Sequence, residues 1–231
     1  LPISFAAGTL RIVCQMVNGQ ASDGHRVSLA YSLREETPQD WREQLDARVE
    51  AHHLPMRRAL APLADLKSLL GLTRLVARLR PDIVHLHSSK AGALGRIASL
   101  RFPGIRWYFS PHGLSFLQSS TPGRLHSVYL MLERLLARLP ASIVACSSSE
   151  AQLIERYLGR RPLLVPNGIA LDSIPLRPAA SDGRVVTVGT AGRISSARHP
   201  ELFARVARRL AGSGLRFVWL GGGEPEAQDE L

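Results

Sequence analysis

Three histidines stand where strands of an α/β protein would end. His85 and His87 lie in Asp82-Ile83-Val84-His85-Leu86-His87, which runs into Ser88-Ser89-Lys90-Ala91-Gly92, and His112 lies in Phe109-Ser110-Pro111-His112-Gly113. Each stretch is apolar, β-branched or aromatic before it turns small and polar, as a buried strand does on entering a loop. In open α/β sheets ligands collect at the carboxyl ends of strands, so these two ends describe one cleft. A histidine there, beside a glycine, can meet a hydroxyl or move a proton near neutral pH, although a lone histidine such as His112 is more often structural. His85 and His87 alternate along one strand and share a face. A metal site would need a third ligand in fitting geometry, and none is apparent, so no metal is expected and His85 reads as structural. Ser88 and Lys90 form the loop and helix start; Lys90 either meets a ligand phosphate or simply solvates the surface.

A second set of residues suits phosphate. Thr190-Ala191-Gly192-Arg193-Ile194 is a strand, a glycine and a cation, followed by Arg198-His199-Pro200-Glu201, a helix start with proline in its first turn. A helix amino terminus with nearby guanidinium groups fits a diphosphate. Val218-Trp219-Leu220-Gly221-Gly222-Gly223-Glu224 is a buried-looking strand that ends in a glycine loop, where a backbone can approach a ligand closely. Pro166-Asn167-Gly168 allows a sharp turn. Ser147-Ser148-Ser149-Glu150 is a helix-capping pattern.

The elements that must carry these residues alternate. A helix-period pattern through Leu10, Val13, Cys14 and Val17 precedes a strand from His25 to Ser32; residues Glu35 to Gln44 read as a charged surface loop, and Val49 to Leu54 as a short strand. Leu66 to Leu79 is a helix that stops before Pro81, Ala91 to Leu100 a small-residue helix, and Ile105 to Phe109 a strand. Gly123 to Leu139 is a helix whose apolar face is Leu125, Val128, Leu132, Leu135, Leu136 and Leu139. Ala141 to Cys146, Glu150 to Leu158 and Leu163 to Val165 continue as strand, helix and strand. Strands alternating with helices predict parallel βαβ units. Residues 173–184 have linker composition, so the chain divides into a first lobe over 1–172 and a second over 185–231. The second is too short for an ordinary independent core. Both ends of the chain read as cut.

Bulk properties narrow the class. The chain has 231 residues, 45% of them hydrophobic, and a formal charge of +10 carried almost wholly by arginine. Guanidinium groups pair bidentately with phosphate, so anionic ligands or surfaces fit, as do merely solvated helix faces. Cys14 and Cys146 are the only cysteines. They are too few for a disulfide framework and not spaced as metal ligands, which fits a reducing cytosol. No run of residues is apolar for long enough to span a bilayer, and no secretory signal opens the chain.

The strand ends, Pro166-Asn167-Gly168, the Gly192-Arg193 step and the glycine loop occur in an order that resembles retaining glycosyltransferases of family 4, the kind that builds bacterial surface polysaccharide. The resemblance runs from about Gly8 to Glu224. It implies an α/β fold of two Rossmann-like lobes (GT-B), the first nearly complete here and the second only begun. It implies transfer of a hexosyl unit from a nucleotide diphosphate sugar, with retention, to an acceptor that is a lipid-linked saccharide. It implies no cofactor and no bound metal, because cations and helix dipoles stabilise the departing diphosphate. On this pattern His112 lines the reaction centre and is the candidate catalytic residue, and Ser88 and Lys90 are the candidate acceptor-binding residues. Gly8, Ser147, Asn167, Gly192, Arg193, Arg198, Gly222 and Glu224 bind the donor. Arg198 stands where the family has a lysine, and Ala7 replaces one of two glycines in the first loop. The family's acidic pattern on the second lobe falls beyond Leu231, so the chain alone is expected to be weakly active or inactive. The implied location is the cytoplasm, peripheral at the inner face of an anionic membrane, with Arg57, Arg58, Arg74, Arg78 and Arg80 as the contact and with no nucleic-acid partner. Two other readings stay open: a sugar-nucleotide epimerase of similar fold, and a non-catalytic basic nucleic-acid-binding protein, for which charge speaks but no recognition motif does.

Overall fold

A computed structural model describes residues 8–33, 37–57, 61–117, 123–168, 185–192, 194–195 and 198–223. The chain divides into two compact units, Leu1–Leu171 and Asp172–Leu231. The linker expected over 173–184, and the site candidates Arg193 and Glu224, lie outside the described residues.

In the first unit the order is α1 (Gly8–Ser22), β1 (Ser28–Tyr31), β2 (Glu50–His53), α2 (Pro62–Leu79), β3 (Ile83–His87), α3 (Ser89–Ser99), β4 (Arg106–Ser110), α4 (Gly123–Leu136), β5 (Ser142–Ala145), α5 (Ser148–Leu158) and β6 (Leu163–Leu164). The strands form parallel sheets ordered β1-β2 and β3-β4-β5-β6. Their boundaries follow local chemistry. Proline opens α2 at its first turn, and Arg80 closes it in the left-handed conformation (φ 45°) just before Pro81. Ser147 caps α5, its side chain accepting from the Glu150 amide, and Gly159 ends that helix at φ 62°.

The main core joins Leu86, Trp107, Phe109, Phe116, Ile143, Ala145 and Ile154. A smaller one joins Val13, Val17, Ala21 and Val49. Helix α3 lies close on the sheet because Gly92 and Gly95 lack side chains. A Cβ on Gly92 would stand 2.1 Å from the Phe109 ring, and one on Gly95 would stand 2.2 Å from Leu86. Arg96 is fully buried over the Phe109 ring, 4.2 Å from its centroid, and its Nη2 donates to Glu133 of α4 at 2.8 Å. Its Nη1 has no partner among the described residues.

That ion pair corrects the expected face of α4. Leu125, Val128, Leu132 and Leu135 are exposed, whereas Glu133, Leu136 and Ala137 are buried, and Tyr129 and Leu130 pack on the core. A buried guanidinium without a carboxylate is very costly. Glu133 therefore turns inward and carries the neighbouring apolar stripe to the surface. The expected loop before β2 also needs correction: Trp41 opens a single 3₁₀ turn, Trp41–Gln44, and is buried against Tyr31 with ring centroids 4.6 Å apart.

The second unit holds β7 (Thr187–Ala191), α6 (Pro200–Arg209) and β8 (Arg216–Leu220), with β7 and β8 parallel and in full register. Phe203 of α6 packs edge-on against Phe217 and Trp219 of β8.

Candidate active site

The first cluster is built by the register of β3 and β4. Leu86 pairs with Phe109 and His87 with Ser110, so both strands end at the same level. Leu86 and Phe109 turn to α3. The alternation therefore places His85, His87, Tyr108 and Ser110 together on the other face. His85 Nε2 lies 2.9 Å from Ser110 Oγ. The His85 and His87 rings are 4.1 Å apart. Beyond β4, His112 adopts the left-handed conformation (φ 53°), and its Nε2 comes to 2.9 Å from His87 Nδ1, the two rings edge to edge and 21° from parallel. Ser88 is left-handed as well (φ 74°), and its amide donates to the Ser110 carbonyl at 3.2 Å. Such backbone is uncommon for residues other than glycine and gathers at functional sites.

Glu150 ties this cluster to the next strand. One carboxylate oxygen accepts from the Gly113 amide and the other from the Cys146 amide, each at 2.8 Å. Burial first and then the neighbouring Glu150 push the Cys146 thiol up to about 11, with Asn167 opposing them. Cys146 is a protonated thiol at neutral pH and no nucleophile. Burial pushes His85 down to about 4 and His87 to about 3, with neighbouring histidines adding to both. Burial also lowers His112, while Glu150 pulls it partly back. At pH 7 the imidazoles are neutral, and each offers one donor and one acceptor. Among the described residues no group of histidine, cysteine and carboxylate side chains could hold a metal ion.

The structure thus gathers Ser88, His112, Ser147 and Asn167 around the carboxyl ends of β3, β4 and β5. Ser147 acts as the helix cap. Lys90 is held elsewhere, its Nζ bonded to both oxygens of Asp65 at 2.8 and 2.7 Å, so a phosphate would have to compete with that carboxylate. Gly8 is the first residue of α1 and is exposed. Glu150 and His87 were not singled out from the sequence as site residues. Glu150 reads there only as a capping acid, and the signal for His87 was its strand-end position.

In the second unit the glycines serve close backbone packing. A Cβ on Gly221 would lie 2.0 Å from the Gly192 carbonyl, and one on Gly223 would lie 1.9 Å from the Ile194 carbonyl. Trp219 Nε1 donates to the Gly192 oxygen at 2.9 Å. The Arg198 guanidinium covers Gly192, 3.1 Å from where a Cβ would stand, and the amino terminus of α6 follows with His199 left-handed and bonded to Glu201. Gly222 faces open space. Arg198, Gly192, Gly222 and the α6 terminus thus belong to one strand-end cluster that combines a cation with a helix amino terminus, although Pro200 has no amide hydrogen and the Leu202 and Phe203 amides are bonded to the His199 carbonyl.

Parallel strands with helical crossovers, repeated in two units, define the α/β class with Rossmann-like lobes, the GT-B class. A sucrose-phosphate synthase from Thermosynechococcus elongatus shares this fold, with a TM-score of 0.69 at 16% identity over 93% of this chain and 57% of that one. Residues 7–168 match the glycosyl transferase 4-like domain, and the chain belongs to that family. It is 28% identical over 200 residues to the Escherichia coli UDP-Gal:alpha-D-GlcNAc-diphosphoundecaprenol alpha-1,3-galactosyltransferase, covering 79% of this chain and 51% of that protein. It is 31% identical over 99 residues to the capsular polysaccharide biosynthesis glycosyltransferase CapM of Staphylococcus aureus, covering 43% and 26%. The chain thus spans about half the length of the first relative and about a quarter of the second.

Proposed function

We propose that the protein transfers a hexosyl unit from a nucleotide diphosphate sugar to a lipid-linked saccharide, with retention, in the synthesis of a cell-surface polysaccharide. The observation that carries this reading is His112, held left-handed and half-buried at the end of β4 beside His87, in a chain of the glycosyl transferase 4-like family. A neutral imidazole there suits hydrogen bonding to the hydroxyls of the transferred sugar. Arg198, Arg193 and the α6 terminus hold the donor diphosphate and stabilise its charge as it leaves, so the reaction calls on neither cofactor nor metal. The diphosphoundecaprenol-linked acceptor of the E. coli relative supports a lipid-linked acceptor here.

The same reading places the protein in the cytoplasm, at the inner face of the membrane. No helix among the described residues is long and apolar enough to cross a membrane. Helices α2, α3 and α4 pack in succession. Their two carboxylates are neutralised internally, Asp65 by Lys90 and Glu133 by Arg96. Lys67, Arg74, Arg78 and Arg134 of these helices are exposed, as are Leu66, Leu100, Met131 and Leu135. Each cation near an anionic bilayer contributes about 1 kcal/mol. Sedimentation with vesicles should show binding that depends on anionic lipid; equal binding to neutral vesicles rejects the membrane contact.

The transfer is tested by replacing His112 with alanine in the chromosomal gene and assaying surface polysaccharide. The 231-residue protein, expected to be weakly active or inactive alone, is assayed beside a C-terminally extended form with UDP-hexoses and a diphosphoundecaprenol-linked GlcNAc. Loss of polymer in the variant, and a product whose anomeric couplings match the donor's, are the expected results. Unchanged polymer, or isomerised nucleotide sugar formed without acceptor, rejects the reading.

A further inference from the structure

We propose that His87 is a positioning residue that fixes which ring nitrogen of His112 carries its proton, and with it whether His112 presents a donor or an acceptor to the sugar. The inference rests on the reading of His112 as the residue that meets the sugar.

The geometry leaves His112 one close side-chain contact through Nε2, the 2.9 Å approach of His87 Nδ1. The rings are 21° from parallel with centroids 5.2 Å apart, so they meet edge to edge and nearly coplanar, with the two nitrogens on the line between the centroids. Two neutral imidazoles meeting nitrogen to nitrogen have two balanced arrangements. If His87 Nδ1 carries the proton, His112 Nε2 accepts, and the His112 proton sits on Nδ1. If His112 Nε2 carries it, His87 Nδ1 accepts and His112 Nδ1 is bare. In either arrangement the proton position on His112 is tied to that on His87, so the surroundings that select the tautomer of His87 select that of His112 with it. Without His87 both tautomers are open to His112.

His87 is itself braced. Its ring lies 4.1 Å from that of His85, which is anchored on Ser110 Oγ at 2.9 Å, and the Ser88 amide holds the Ser110 carbonyl. On the other side Glu150 grips the Gly113 amide and so fixes the backbone just after His112. A left-handed residue other than glycine is strained and persists where its surroundings over-determine it, as they do here. The strained φ of His112 is what folds its ring back onto β3, so the histidine pair and the backbone strain are one construction.

Imidazole 15N spectra of the 231-residue protein at pH 7 test this directly. His112 should show one tautomer in the unaltered protein and an exchange-averaged mixture in His87→Ala. His87→Asn, whose amide can donate or accept where Nδ1 stood, should restore a single form. Unchanged signals from His126, whose ring packs edge-on against the buried Phe116 of the main core, certify that each variant is folded. In the transferase assay, His87→Ala should lower kcat about 100-fold, the lower range of a general acid–base contribution, and leave the donor KM nearly constant. A His112 tautomer that is the same with and without His87 overturns the inference, whatever the activity. A tautomer that shifts as expected, with transfer unaffected by His87→Ala and by His112→Ala alike, upholds the pairing and instead removes His112 from the reaction.

Discussion

Acidification from pH 7 to pH 4.5 should weaken the fold through the buried histidines before the carboxylates take part. His87 titrates near 3 and His85 near 4 in the folded chain, against an ordinary value of 6.5. A depressed histidine is neutral when folded but binds a proton when unfolded. Its contribution is therefore full above about pH 6.5 and falls as the pH drops towards the folded value. With one proton of difference, each unit below 6.5 costs about 1.4 kcal/mol. At pH 4.5 this amounts to about 2.5 kcal/mol for His87. It is less for His85, which is less deeply set and better screened. The sum is a large part of the 5–15 kcal/mol typical of a domain. The other titratable groups around the pair are His112, Tyr108, Glu150 and Cys146, and the Cys146 thiol stays protonated throughout. Asp65 is drawn upward by burial but held lower by Lys90 and the Ala61 amide, so it titrates beneath this window. Urea unfolding followed by tryptophan fluorescence at both pH values, for the unaltered protein and His87→Asn, measures the effect. The variant should lose about 2 kcal/mol less on acidification. An identical loss in both proteins refutes the assignment of the acid sensitivity to His87.

Glu133→Ala should destabilise by about 3–5 kcal/mol, because it strands a buried guanidinium; denaturant midpoints measure it. Gly92→Ala should cost about 1–3 kcal/mol as the new methyl meets the Phe109 ring, seen as a lowered Tm. Leu135→Ser should change stability by less than about 0.5 kcal/mol, whereas Leu136→Ala, one residue on, should cost about 2–5 kcal/mol. Equal losses at the two positions would mean that α4 presents a different face.

The alternation of elements was legible because it rests on local chemistry. Pro81 ends α2 and Ser147 begins α5 through φ restriction and side-chain capping, both visible within a few residues of sequence. The face of α4 was not legible from its own periodicity. The leucine stripe gave an apolar face, but the orientation is decided by Arg96 on α3, whose need for a carboxylate arises only once the helices pack. The buried Trp41 was hidden for a like reason: its partner Tyr31 lies on β1, across a charged loop. At the site, the strand ends and His112 could be placed by pattern. The pairing of His112 with His87 could not, since it depends on the β3–β4 register and on a left-handed residue that sequence alone does not announce. Arg198 and Gly192 were placed together by motif, and they meet in the structure. Lys90 was left between a ligand and a solvated surface, and its partner Asp65 sits on a different helix.

The separate pairing of β1 with β2 and of β3 with β4 has a dynamic consequence. Among the described strands no ladder joins the two sheets, and each sheet has its own apolar core. Cooperative units of a protein follow such divisions, and the smaller one opens at lower free energy. Deuterium should therefore replace the amide hydrogens of Leu29 to Tyr31 well before those of Leu86 and Phe109. The histidine pair, mounted on the slower unit, would keep its geometry through fluctuations that loosen the other.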